Sequence, residues 1–147
     1  YDPDPLPELG RHEIRYALLP HGGPLELAEA FKAGYAFNHP LIPVATTVHE
    51  GELPPEAGAL EVLTPNVMVA ALKQAEEGEG IILRLFELEG RQTQAQVRLA
   101  RVLAPADAAV VEMDLLEQPL PESTARMNGD VLQVQVPAYG IATVRIG

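Results

Sequence analysis

From Asn66 to Leu99 the chain reads NVMVAALKQAEEGEGIILRLFELEGRQTQAQVRL, three apolar runs cut by two short turns. In the middle run Ile81, Leu83 and Leu85 fall on one face of a strand, and Ile82, Arg84, Phe86 and Leu88 on the other. Period-two alternation with a single charge on the second face marks a strand buried on one side and mostly covered on the other. After Glu89-Gly90 the alternation resumes, with Ala95, Val97 and Leu99 facing one way and Gln94, Gln96 and Arg98 the other. Two such runs across a short glycine-containing connection predict an antiparallel hairpin. Asn66 to Lys73 is a third run, set off by the acidic turn Glu76-Glu77-Gly78-Glu79-Gly80, and these three strands are expected to form the middle of one sheet.

Moving toward the N-terminus, Ala59 to Leu63 leads into this stretch, Glu50 to Gly58 with Pro54-Pro55 reads as an exposed loop, and Ile42 to Val48 reads as a strand. Leu27, Phe31 and Tyr35 recur every four residues with Ala28 beside them, a helical stripe expected over residues 25 to 37. Pro24 suits its first turn, and Asn38-His39-Pro40 should end it. His12 to Leu19 alternates through Ile14, Tyr16 and Leu18 and predicts a first strand, stopped by Pro20-His21-Gly22-Gly23-Pro24. Residues 1–9, with Asp2-Pro3-Asp4-Pro5-Leu6-Pro7, read as a linker from a preceding domain, which makes residues 10–147 the ordered domain.

Toward the C-terminus, Val111, Met113 and Leu115 are expected to share a strand face, closed by Pro119 and Pro121. Asn128-Gly129 is a strong two-residue hairpin signal, followed by the alternation of Leu132, Val134 and Val136. Pro137 to Gly140 turns the chain into a closing strand through Ala142, Val144 and Ile146. About eight or nine strands, one short helix near the N-terminus and no internal repeat predict an all-β, antiparallel β-sandwich whose tail is a meander.

At 147 residues the chain fits one domain, which buries roughly two thirds of its unfolded surface. A formal charge of −11 argues against nucleic acid and anionic membranes as partners. No apolar run approaches the ~18 residues of a membrane span. The absence of cysteine excludes disulfides, thiol catalysis and Cys-type zinc sites, and fits a cytoplasmic setting.

Catalytic motifs are few. Ser123, the only serine, lies in Pro-Glu-Ser-Thr-Ala without a nucleophile elbow. Gly78-Glu79-Gly80 is too short and too acidic to cradle phosphate. His12, His21, His39 and His49 lack metal-ligand spacing, and Glu76, Glu77 and Glu79 do not follow the calcium-loop pattern. No catalytic or metal-binding residue is therefore assigned. Arg84, on a strand among apolar residues, either pairs with a carboxylate at the sheet rim or faces an interdomain cleft.

The motifs occur in an order that resembles a known family. His12-Glu13-Ile14-Arg15-Tyr16-Ala17-Leu18-Leu19-Pro20-His21 is similar to the His-x-Phe-x-Tyr-Ala-Leu-x-Pro-His signature in the C-terminal region of the α-mannosidases of glycoside hydrolase family 38. The helix end Asn38-His39-Pro40-Leu41 resembles that family's Asn-x-Pro-Leu. Asn66-Val67, Ala71-Leu72-Lys73, the glycines of Glu76-x-Gly78-x-Gly80, and Leu83-Arg84-Leu85-Phe86-Glu87 follow its central run. Val111 to Glu117 and Val136 to Ile146 fit the same order. Ile14 and Phe86 replace the usual Phe and Tyr, each keeping an apolar body.

The resemblance implies a parent enzyme that hydrolyses α-mannosides with retention of configuration. It also implies an N-terminal β/α barrel carrying a zinc ion and an Asp nucleophile, against which the C-terminal β-domains pack. On that basis the chain is a non-catalytic terminal sandwich, partnered by the catalytic domain of its own polypeptide. Exposed apolar surface is expected beside the first strand and the helix, where His12, Tyr16 and His21 offer apolar bodies with polar tips. With Arg84 they are the candidate cleft residues; bracing the first strand against the helix is the competing role. An autonomous carbohydrate-binding module and an assembly domain are the alternatives. Against the module, the chain has no Trp and only four Tyr and three Phe to stack on sugars.

Overall fold

The alternating runs condense into two four-stranded antiparallel sheets in the computed structural model, which describes residues 9–147 apart from residue 53. All but Leu9 of the linker expected over residues 1–9 lies outside the described residues, as does residue 53 of the loop expected from Glu50 to Gly58. In chain order come α1 (Leu27–Asn38), β1 (Leu60–Val62), β2 (Val67–Gln74), β3 (Ile81–Glu87), β4 (Thr93–Leu99), β5 (Val110–Met113), β6 (Arg126–Asn128), β7 (Val131–Val136) and β8 (Ile141–Ile146). One sheet has the order β1-β4-β7-β6, the other β2-β3-β8-β5. The expected antiparallel sandwich with one short helix is observed.

The core forms where the inward faces meet. Leu83 and Leu85 of β3 and Ala142, Val144 and Ile146 of β8 oppose Ala95, Val97 and Leu99 of β4 and Leu132, Val134 and Val136 of β7, all buried. Fully burying each Val, Leu or Ile contributes about 1.5–3 kcal/mol. The other face of β3 is also covered: Ile82 is wholly buried, and Phe86 meets the Phe31 ring of α1 at 5.0 Å between centroids. The helical stripe thus docks α1 on β3, with Tyr35 stacked beside Phe31 at 4.7 Å. The helix begins at Leu27, so Pro24 precedes it rather than filling its first turn.

Several local expectations are corrected. β2 and β3 pair as a hairpin, with a bulge between Val69 and Ala71, but β3 and β4 do not pair. They lie in different sheets, and Leu88 to Gln92 arches across the sandwich rather than folding back. The centre of the second sheet is accordingly β3 with β8, and β2 is an edge. Similarly the tail is no meander: Pro137 to Gly140 carries the chain from one sheet to the other. Alternation specifies which residues point inward but is blind to which sheet a strand joins.

The last hairpin turns one residue later than expected. Met127 faces Leu132 and Asn128 faces Val131, so Gly129-Asp130 is the two-residue loop. Gly129 alone of the pair has positive φ, at 61°, the requirement of a type II′ turn with glycine in its first central position. The face expected for Val111, Met113 and Leu115 is the outer one: Met113 is buried beneath the following loop, Leu115 is exposed beyond the strand, and Val110 packs on the core.

Neither His12 to Leu19 nor Ile42 to Val48 forms a strand; both are irregular and exposed. An extended run acquires strand geometry by sharing a hydrogen-bond ladder, and Ile14 to Leu19 and Leu41 to Val48 share none with other described residues.

Candidate functional site

Glu87 is the most highly connected polar side chain among the described residues, and its role escaped the sequence analysis. The inward set Leu83, Leu85 continues to position 87, so β3 delivers a carboxylate to the end of the core, where it is 3% exposed. One oxygen accepts from Asn66 Nδ2 at 2.7 Å and the Glu89 N–H at 2.8 Å. The other accepts from the N–H groups of Gly90 at 2.7 Å, Arg91 at 3.1 Å and Tyr139 at 3.0 Å. Burial alone raises the pKa of such a group; the N–H groups of Tyr139 and Glu89, the Asn66 amide and the Gly90 N–H outweigh it and bring Glu87 down to about 2. Gly90 fits because its φ is +74° and an added Cβ would lie 2.5 Å from the Tyr139 ring. The carboxylate ties two of the inter-sheet connections, β3–β4 and β7–β8, to the end of β3. It is a structural knot, legible as an inward-phased Glu followed three residues later by Gly.

Arg84 emerges on the outer face of the same strand. Its Nε donates to Thr143 Oγ1 at 3.2 Å and its Nη2 to the Leu115 carbonyl at 3.3 Å. The expected carboxylate partner is replaced by a hydroxyl and a backbone oxygen. Beside it the Asp114 carboxylate caps a turn by accepting from the N–H groups of Leu116 at 2.8 Å and Gln118 at 2.9 Å. That turn sets Glu117 against Lys73 Nζ at 2.6 Å and the Glu76 N–H at 2.9 Å. The Glu76 N–H and Lys73 hold the Glu117 carboxyl below its ordinary value, with a smaller contribution from the charge of Arg84. The same contacts, to Glu117 and then Glu76, raise the Lys73 ammonium. Glu76 and Glu117, with Arg145 and Gln118, line a small polar recess together with Ile82, Met113 and Pro119.

His12, Tyr16 and His21 lie on the irregular segment before α1, with Tyr16 84% exposed. The segment is held along the helix: Ala17, Leu18 and Leu19 line a hollow with Ala30, Ala33, Gly34 and Phe37, and the Arg15 guanidinium sits 5.5 Å above the Phe37 ring centroid. The expected exposed apolar surface is present here, at Ile14, Leu18, Ile42 and Val44. Arg84 lies on β3, whereas His12, Tyr16 and His21 lie on the segment before α1. Among the described residues no three His, Asp or Glu side chains gather where a metal ion could be shared. The described residues thus offer no donor set for the zinc that the family resemblance implies for the parent enzyme. No helix among the described residues is long and apolar enough to cross a membrane.

An inter-sheet knot, a closed core and charged turns define a β-sandwich domain. Residues 66–144 match the family model of the glycosyl hydrolases family 38 C-terminal beta sandwich domain, and the chain belongs to that family. It is 29% identical over 145 residues to Alpha-mannosidase 2C1 of Homo sapiens, covering 97% of this chain and 13% of that protein. The Mus musculus Alpha-mannosidase 2C1 is likewise 29% identical, over 146 residues. Alpha-mannosidase G of Dictyostelium discoideum is 23% identical over 138 residues, covering 90% of this chain and 12% of its own length. The chain thus spans about an eighth of the curated relatives it matches.

Proposed function

We propose that the chain is the non-catalytic C-terminal sandwich of a retaining α-mannosidase, packing against the preceding catalytic domain and helping to wall its cleft. The observation that carries this reading is the division of the molecule's surface. Residues 60–147 close a core of their own, whereas the flank from Ile14 to Val48 presents large apolar side chains to solvent. Such a flank suits an interdomain contact, which in multidomain chains buries roughly 600–1,500 Å². The names of the relatives supply the chemistry: α-mannoside as substrate and, by family resemblance, zinc in the barrel. A cysteine-free chain suits a reducing compartment, which supports reading the parent as cytoplasmic.

The test is direct. The polypeptide carrying the whole hydrolase is expected to release p-nitrophenol from p-nitrophenyl α-mannoside, and the 147-residue chain alone to release none, with or without added zinc. Turnover by the 147-residue chain would overturn the reading.

On the same reading His12, Tyr16 and His21 contribute to the wall of the cleft on the flank, and Arg84 contributes from the rim. In the full-length enzyme His21→Ala is expected to lower kcat/KM about tenfold, ~1.4 kcal/mol of transition-state stabilisation, with an unchanged melting temperature. Parallel losses of activity and melting temperature would instead assign His21 to bracing. Unchanged activity would remove the segment from the cleft.

A further inference from the structure

We propose that Ile14–Leu19 and Leu41–Val48 are strands of a further sheet outside this sandwich, completed by strands from the polypeptide that precedes this chain in a hydrolase of the relatives' length. The proposal rests on the reading of the chain as the end of such an enzyme. Three observations carry it beyond a general interdomain contact.

First, both segments carry strand sequence without a strand. Ile14, Tyr16 and Leu18 alternate and are 83%, 84% and 90% exposed, while Ile42, Val44 and Val48 alternate and are 86%, 81% and 106% exposed. Alternate side chains on one face, all exposed, fit a half-buried strand lacking its neighbour, and the backbone of both segments makes no ladder with other described residues.

Second, the family model begins at residue 66, after both segments. The eight observed strands already form a sandwich with a closed core without them. Third, the helix that joins the two segments in the chain, α1, docks on the sandwich through Phe31 on Phe86, and Leu18 and Leu19 line a hollow with its Ala30 and Ala33.

Covalent continuity favours the preceding polypeptide as occupant. The matched family domain is C-terminal and the chain is 13% of the human relative, so most of such a protein lies upstream. A tethered partner acts at an effective concentration of about millimolar. A second copy of this chain would have to overcome repulsion between two bodies of formal charge −11. Main-chain hydrogen bonding to a sheet edge would satisfy the ladder, and the alternate apolar side chains would enter that sheet's core.

Hydrogen–deuterium exchange on the full-length enzyme tests this, with mannosidase activity measured on the same preparation. Amides of Ile14–Leu19 and, apart from Pro43, which has none, of Leu41–Val48 are expected to exchange at least ~100-fold more slowly than free-peptide rates, as in paired strands. Faster exchange in an active enzyme would overturn the strand assignment while leaving the hydrolase reading intact. Protection that appears only as the concentration of a dimer rises would overturn it in favour of a second copy. Concentration-independent protection in a preparation without α-mannosidase turnover would support the strand pairing and refute the proposed enzyme.

Discussion

Glu87→Ala is expected to lower the stability of the 147-residue chain by about 4 kcal/mol, measured as a fall in the urea midpoint at constant m-value. The substitution removes little apolar packing, but it leaves four backbone N–H groups and the Asn66 amide aimed at a vacated, buried position. Asn66 retains a second bond, to Thr93 Oγ1 at 2.9 Å, so its loss is partial. Glu87→Gln keeps the shape but turns an NH₂ toward donors, and should still cost about 2–3 kcal/mol. A loss below about 1 kcal/mol for the alanine variant would refute the structural role assigned to the carboxylate.

The sign of the pH dependence follows from the lowered pKa. Glu87 falls from 4.5 in the ordinary carboxyl to about 2 in the fold, so its contribution is present above the unfolded value and is lost as pH falls toward the folded one. Between pH 7 and pH 3 the wild-type chain should therefore lose more stability than Glu87→Gln, which has no proton to take up at that position. Identical pH profiles would show that the carboxylate is not the group responsible.

The inward pattern of the sandwich was legible because alternation is a local property. Leu83, Leu85, Val97, Leu132, Val134 and Val144 all point into the core as their spacing implies. Sheet membership was not legible, because Glu89-Gly90 can close a hairpin or cross between sheets. The deciding contact is the carboxylate of Glu87 reaching Tyr139, 52 residues away in sequence. The resemblance did hold the relevant residues: its central run starts at Asn66 and ends at Glu87, which meet across the core end. What sequence order withheld was why those two positions matter. The segments around Tyr16 and Val44 fail differently: they carry the alternation of strands but share no ladder with other described residues. For the candidate cleft residues, His12, Tyr16 and His21 share one segment of the chain, whereas Arg84 is carried by β3.

The glycines of the Glu76-x-Gly78-x-Gly80 turn separate two physical roles, and Gly80→Ala is expected to be the costlier by a wide margin. Gly80 has φ +104°, and a Cβ there would lie 2.6 Å from the carbonyl oxygen of Ile146, a backbone atom fixed within β8. Relief requires the turn and the closing strand to move apart, against the Arg145 guanidinium, which donates to the Glu79 carbonyl at 3.1 and 2.6 Å. Strained φ and a backbone clash together should cost about 3 kcal/mol. Gly78 has φ +75°, but its added Cβ would meet only the Arg145 Nη2 at 2.8 Å, the far end of a flexible side chain. Gly78→Ala should therefore cost about 1 kcal/mol, mostly backbone strain in a conformation that favours glycine. Urea unfolding of the two variants side by side measures the difference. Equal losses would mean that the approach of Ile146 does not limit the turn. The turn also presents the Glu76 N–H to Glu117, so Gly80→Ala should loosen the Lys73–Glu117 pair while Gly78→Ala leaves it in place. The Lys73 ammonium, raised chiefly by its bond to Glu117, would then shift back toward 10.5 in the Gly80 variant alone, a change that NMR titration of the lysine reads independently of stability.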